Sequence, residues 1–87
     1  MYVVVKDVTD FGKEIKTTML GVRFKEITDA ESYLNEYIAK LEENEYPYYL
    51  GSWDEEFVYS HFVDDEGFEK VTYSIAKWID GTLYDAY

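Results

Sequence analysis

The sequence contains no cysteine, one histidine and one proline among its 87 residues. Without cysteine the fold holds no disulfide, no thiolate zinc site and no thiol nucleophile. No apolar run approaches the roughly 20 residues that a membrane-spanning helix requires. The N-terminal residues lack the basic region and the long apolar region of a signal peptide. These absences favour a cytoplasmic protein.

Positive charge is also scarce, because eight bases face 19 acids and the net charge is −11. Residues 1–28 hold five bases and four acids, whereas residues 29–87 hold three bases and 15 acids. Such a field repels nucleic acid and anionic membranes as direct partners. It favours a basic protein surface or cations.

Apolar side chains are abundant enough for one folded core. They make up 47% of the chain, and aromatic residues make up 20%. This composition excludes disorder, which combines high charge with low hydrophobicity. A chain of this length makes one domain, residues 1–87, because two domains would each be too small to hold a core.

The N-terminal half reads as two strands and a helix. Residues 2–8 and 14–24 carry β-branched or alternating patterns, and Gly21 sits where the alternation slips, which predicts a bulge or bend. Thr28 and Glu31 fit a capping box at the start of a helix, and Pro47 forbids its continuation. The apolar stripe of this helix is Ala30, Tyr33, Leu34, Tyr37, Ile38 and Leu41.

The C-terminal half reads as a hairpin, residues 57–63 and 68–79, followed by a short last strand or docked tail at 82–87. A four-residue loop would pair Tyr59 with Thr72. A three-residue loop ending in a left-handed Gly67 pairs Tyr59 with Tyr73, Phe57 with Ile75 and His61 with Val71. The second register sets apolar side chains opposite each other, so we favour it. The predicted fold is α+β with element order β-β-α-β-β, a four-stranded, mostly antiparallel sheet with one helix packed on one face.

Little in the sequence points to catalysis. His61 is expected to be a satisfied histidine at the core edge, because no nucleophile signature accompanies it and Ser60 should point to the opposite sheet face. Residues 64–69 superficially resemble a calcium loop but lack its ligand spacing. The glycines are isolated, so no phosphate-binding loop is present. We therefore predict no enzyme activity, no cofactor and no metal site.

The strongest remaining signal is three carboxylate clusters with no base inside them. Their mutual repulsion opposes folding, and rigidly held carboxylates can imitate a row of phosphates, which DNA spaces at about one charge per 1.7 Å of axis. Nearby aromatic side chains would serve as anchors for a partner. The predicted partner-binding residues are Glu42, Glu43, Glu45, Asp54, Glu55, Glu56, Asp64, Asp65, Glu66 and Glu69, with Trp53 and Tyr49.

In size, net charge, absence of cysteine and element order, the whole chain resembles small acidic phage-encoded inhibitors, such as anti-CRISPR proteins and other nucleic-acid mimics. The resemblance implies a stoichiometric inhibitor of a defence nuclease in a bacterial host cell. Two other interpretations stay open: a structural or adaptor module, and acidity that serves only solubility. An unpaired outer strand allows either a monomer or a homodimer.

Overall fold

The computed structural model describes residues 1–11, 13–43, 51–52, 57–62 and 69–87. Their elements in chain order are β1 (Tyr2–Asp10), β2 (Lys13–Phe24), α1 (Ile27–Glu43), β3 (Gly51–Ser52), β4 (Tyr59–Phe62), β5 (Glu69–Ile79) and β6 (Thr82–Asp85). Every strand pair among these residues is antiparallel. The predicted α+β class, with one helix on an antiparallel sheet, is confirmed, and the short strands β3 and β6 add to the four expected.

The valine-rich strand β1 and the strand β5, which carries Tyr73 and Trp78, lie in the interior of the sheet. The strand order is β2-β1-β5-β4-β3, with β6 also paired to β5. Strand β1 pairs with β5 along its whole length, from Tyr2 opposite Lys77 to Asp10 opposite Glu69. Strand β1 therefore has a neighbouring strand on each side, which suits the β-branched run at residues 3–5.

One face of the sheet packs against α1 and forms the main core. The predicted apolar stripe is confirmed, since Ala30, Leu34 and Ile38 are buried and Tyr33, Tyr37 and Leu41 pack beside them. The strands contribute four buried side chains to this core, Val4, Val71, Tyr73 and Ile75. Full burial of such a side chain stabilises the fold by about 1.5–3 kcal/mol.

The predicted capping box at Thr28 is wrong, because α1 begins at Ile27. The carbonyl of Glu26 accepts the amides of Asp29 at 3.2 Å and of Ala30 at 3.4 Å. Glu26 therefore occupies the N-cap position, and Thr28 lies within the first turn. The carboxylate of Glu31 accepts a hydrogen bond from the Tyr87 hydroxyl at 2.7 Å instead of reaching back.

The bend predicted at Gly21 is confirmed. Gly21 has φ of +69°, and the β1–β2 register shifts between Tyr2 and Val4, beside this glycine. A second shift lies between Val8 and Thr9. The regular part of the pairing therefore covers only the middle of β2.

The hairpin register is confirmed at two of its three predicted pairs. Tyr59 lies opposite Tyr73 and His61 opposite Val71. The third predicted pair, Phe57 with Ile75, is wrong, because β4 begins only at Tyr59 and Phe57 has φ of +61°. A left-handed residue takes the chain out of the extended conformation that pairing requires. Gly67, expected at the turn, lies outside the described residues.

Candidate interaction site

An acidic pair marks one end of the sheet, where β1 finishes and β5 begins. Asp10 and Glu69 lie directly opposite each other across these two strands, and both are half-buried. Like charges in this arrangement destabilise a strand pair by up to about 1 kcal/mol. On its other side Asp10 lies opposite Lys13.

Helix α1 runs toward the same end of the sheet. The Tyr33 ring lies 5.6 Å from Phe24, which sits beside the start of β1. One turn later the Tyr37 ring lies 5.5 Å from Tyr73, which sits beside the middle of β1. The six residues from Tyr37 to the end of the helix advance about 9 Å further in this direction.

The last turn of α1 therefore lies toward the end of the sheet that carries Asp10 and Glu69. Its final residues are Glu42 and Glu43. Of the predicted partner-binding residues, the structure thus brings Glu42, Glu43 and Glu69 to one end of the molecule. We call this set, together with Asp10, the acidic end.

The other predicted partner-binding residues lie outside the described part of the chain. On either side of residues 64–66, the nearest described residues are Phe62 and Glu69, and both belong to the sheet at the acidic end, since Phe62 pairs with Lys70. On either side of residues 54–56, the nearest described residues are Ser52 and Phe57, and Ser52 lies away from that end, because it pairs with Tyr59. The residues concerned are Glu45, Tyr49, Trp53, Asp54, Glu55, Glu56, Asp64, Asp65 and Glu66.

A second group of carboxylates lies on the sheet face opposite α1, and sequence reasoning missed it. The Thr17 hydroxyl lies 2.6 Å from Asp7 Oδ1 and also contacts Glu14 Oε1. A hydroxyl carries one hydrogen, so it donates to one of these carboxylates at a time. These residues line a shallow cleft of about 260 Å³ together with Ser74 and Asp85.

The cleft residues come from four different strands, which is why no cluster appears in the sequence. Asp7 and Thr17 are opposite each other across β1 and β2, so the hairpin register was the one signal that could have joined them. Ser74 reaches the cleft through the long-range pairing of β5 with β1, and Asp85 reaches it through the β5–β6 hairpin. Asp7 and Glu14 are isolated acids in a charge-balanced segment, which gave no reason to single them out.

Strands β4 and β6 share one edge of β5 and leave a gap between them. The pairing of β4 ends at Tyr73 and that of β6 begins at Ala76, so Ser74 and Ile75 have no ladder partner on this side among the described residues. A cavity of about 400 Å³ opens there, lined in part by the stacked rings of Phe57 and Tyr87, whose centroids are 6.3 Å apart.

His61 lies in the core and not at the surface. It is 3% exposed, its ring stacks on Tyr73 at 5.9 Å, and its Nε2 lies 3.5 Å from the Tyr73 hydroxyl. As predicted, Ser60 points to the other face, where its hydroxyl lies 3.0 Å from that of Thr72. A buried, hydrogen-bonded histidine of this kind supports packing.

The described ranges hold neither a candidate cluster of metal ligands nor a candidate membrane-spanning helix. Within them, no three histidine or carboxylate side chains are grouped so that they could hold a metal ion. No helix among the same residues combines the length and the apolar character that crossing a bilayer demands.

Comparisons with protein-family models, curated proteins and solved structures found no match for this chain. The residues and their arrangement alone therefore bear on its function.

Proposed function

We propose that this chain is a non-catalytic protein that binds the basic surface of a nucleic-acid-binding protein and inhibits it. Its carboxylates would occupy positions that the partner offers to phosphates. The observation that carries this proposal is the acidic end, where Asp10 lies opposite Glu69 and toward which the last turn of α1 runs. As the resemblance to phage-encoded inhibitors implies, the partner would be a CRISPR or other defence nuclease in the cytoplasm of a bacterial host.

The arrangement at the acidic end lowers the stability of the fold, and folding itself does not require it. Two carboxylates directly opposite each other weaken the central strand pair, whereas one amide in place of Glu69 would remove the repulsion. The glutamates at the end of α1 also lie near the negative end of the helix dipole, which disfavours carboxylates. Carboxylates that are present despite these two local penalties support a role in binding a cationic surface.

A sheet and a helix suit this role because they fix the spacing of the backbone positions that carry the carboxylates. Glu69 sits in a central strand that is paired on both sides, and Glu42 and Glu43 lie in a helix anchored by Leu34 and Ile38. Preorganised charges lose little conformational entropy on binding, so more of the electrostatic attraction is retained as affinity.

A matched pair of variants tests this proposal. The first, at the acidic end, carries Glu42→Gln, Glu43→Gln and Glu69→Gln. The control carries Glu26→Gln, Glu36→Gln and Asp80→Asn, exposed acids elsewhere on the protein with the same total change in charge. Each tagged protein is used to capture partners from nuclease-treated bacterial lysate, with elution by a salt gradient and competition by duplex DNA.

We expect the native protein and the control to retain a nucleic-acid-binding protein that elutes at moderate salt and is displaced by DNA. The acidic-end variant should lose it, because exposed charges are screened within about 8 Å at physiological salt and binding depends on close contacts. Equal loss in both variants would show that total charge matters and the acidic end does not. A partner that resists high salt and ignores DNA would refute mimicry.

A second candidate function is an adaptor module that joins two partners. The uncovered outer edge of β2, which carries exposed apolar side chains, favours it. Ile15 is 61% exposed and Val22 is 68% exposed, both on this strand. An interface built on such side chains would persist at high salt, which distinguishes the two functions.

A further inference from the structure

Strand β2 forms one edge of the sheet and presents a long exposed strand. It spans 12 residues, and among the strands of the described residues it pairs with β1 only. All the residues from Lys13 to Thr17 are exposed, and so are Met19 and residues 21–23. An uncovered edge strand offers unpaired amides and carbonyls to any extended segment of another chain.

The hydrogen-bonding phase of the sheet identifies which backbone groups of β2 point outward. The amide of Trp78 donates to the carbonyl of Met1 at 2.7 Å, and the Met1 amino group donates to the Trp78 carbonyl at 3.2 Å. Met1 therefore directs its backbone groups at β5, and alternation along β1 directs those of Val4, Lys6 and Val8 at β2.

The partners of these three residues on β2 are Leu20, Thr18 and Lys16. Their amides and carbonyls are used by β1. Those of the intervening residues, Thr17 and Met19, point away from β1 to the outside of the sheet. The outer edge thus offers two donors and two acceptors in correct spacing for an added strand.

The register shifts on either side confine these outward-pointing backbone groups to a short stretch of β2. One lies beyond Leu20, at the Gly21 bend, and the other lies between Lys16 and Glu14. Bulges of this kind twist an edge away from further pairing and protect it from indefinite sheet growth. The regular stretch accommodates one short segment instead of a long intermolecular sheet.

The charge of this edge differs from that of the rest of the protein. Residues 13–25 contain four bases and one acid, and Asp7, whose Oδ1 lies 2.6 Å from the Thr17 hydroxyl, adds a second acid beside them, whereas the whole chain has a net charge of −11. Because salt screens charges that lie more than about 8 Å away, the charges nearest this edge decide which partner it attracts. A second copy of the chain would bring two such basic edges together, so an acidic segment is the better complement. The bases are Lys13, Lys16, Arg23 and Lys25.

We propose that the outer edge of β2 receives an acidic, extended segment of a partner protein as an additional strand. The segment bonds to the backbone of Thr17 and Met19. Lys16 takes a non-hydrogen-bonded position relative to the added strand, where opposing side chains approach most closely and a partner carboxylate fits. Exposed Ile15 and Val22 flank the contact. This surface is separate from the acidic end and does not depend on the function proposed above.

The probe is a fluorescein-labelled, capped peptide of about eight residues, a typical strand length, in which glutamate and valine alternate. We expect saturable binding by fluorescence anisotropy. The same peptide with every backbone nitrogen methylated keeps its charge but cannot donate hydrogen bonds, and it should not bind. Equal binding of the two peptides would show simple charge attraction and would overturn the proposal.

Amide hydrogen exchange by NMR locates the contact without any variant. In the free protein Thr17 and Met19 should exchange rapidly, whereas Thr18 and Leu20 are protected by β1. The peptide should slow exchange at Thr17 and Met19 alone. Protection that appears elsewhere, or nowhere, would overturn the proposal, and so would a dimer formed through this edge in the absence of peptide, seen by light scattering.

Two variants complete the test. Lys16→Glu should weaken peptide binding by about fivefold or more, since it replaces an attractive cross-strand pair with a repulsive one. Lys40→Glu, the same change of charge on α1, should leave binding within about twofold. Met19→Pro removes one outward donor and should abolish binding while β1 pairing persists. Unchanged affinity in Lys16→Glu or in a folded Met19→Pro protein contradicts the proposed geometry.

Discussion

The substitution Gly21→Ala tests the packing between β2 and α1. Gly21 has φ of +69°, where residues with a side chain are strained. A Cβ atom at this position would lie 2.6 Å from Cζ and 2.7 Å from the hydroxyl oxygen of Tyr33. The Tyr33 ring lies between Phe24 and Tyr37, so it has little room to move away.

Two costs add in this variant. A residue other than glycine in the left-handed region costs about 1–2 kcal/mol, and a methyl group forced into filled space costs about 1–3 kcal/mol. The lower chain entropy of the unfolded alanine variant returns about 0.4–1 kcal/mol. We expect a net loss of about 1–4.5 kcal/mol, and each kcal/mol lowers Tm by about 4–8 °C for a domain of this size.

Urea unfolding followed by circular dichroism measures this loss, and a double-mutant cycle separates its two parts. Tyr33→Leu removes the atoms that the new methyl group would meet. In that background Gly21→Ala should cost only the backbone strain, so the coupling free energy between the two positions should reach about 1 kcal/mol or more. Equilibrium unfolding curves alone give these free energies, so no kinetic measurement is required.

Two results would refute this reasoning. If Gly21→Ala changes stability by less than about 0.5 kcal/mol, the bend does not require a left-handed residue in contact with Tyr33. If the full loss remains in the Tyr33→Leu background, the strain is in the backbone alone and the tyrosine does not approach the strand as described.

Two further tests probe other parts of the fold by the same urea measurement. Glu69→Gln should raise stability by up to about 1 kcal/mol by relieving its repulsion with Asp10; a loss of stability would show that the pair is not repulsive. Ser60→Ala should cost about 1 kcal/mol, whereas adding Thr72→Val should restore most of it, since both hydroxyls are then absent; equal losses would contradict their hydrogen bond.

The two proposed surfaces lie in different parts of the sheet and carry opposite charge. The acidic end suits a basic partner, and the outer edge of β2 suits an acidic strand. A protein that used both could hold two partners at once, which is the adaptor function in a specific form. Comparing capture by the acidic-end variant with peptide binding by Lys16→Glu separates the two activities.

Much of the fold could be predicted because it depends on short-range patterns. The stripe from Ala30 to Leu41 follows helical periodicity, and the pairing of Tyr59 with Tyr73 follows from matching apolar faces across one turn. The bend at Gly21 could be predicted because glycine adopts a positive φ without strain. The errors were at element ends, where Glu26 replaced Thr28 as the cap and Phe57 left the strand.

The candidate sites were less predictable, because they depend on which strands become neighbours. The sequence by itself determined the acidic composition, the separation of charge between the two parts of the chain and the identity of the helix and main strands. Only the tertiary structure decided that β1 and β5 lie side by side, which sets Asp10 opposite Glu69, and that β2 is left at an edge. Strand order is set by long-range packing of the whole sheet against α1, and no local pattern of residues encodes it.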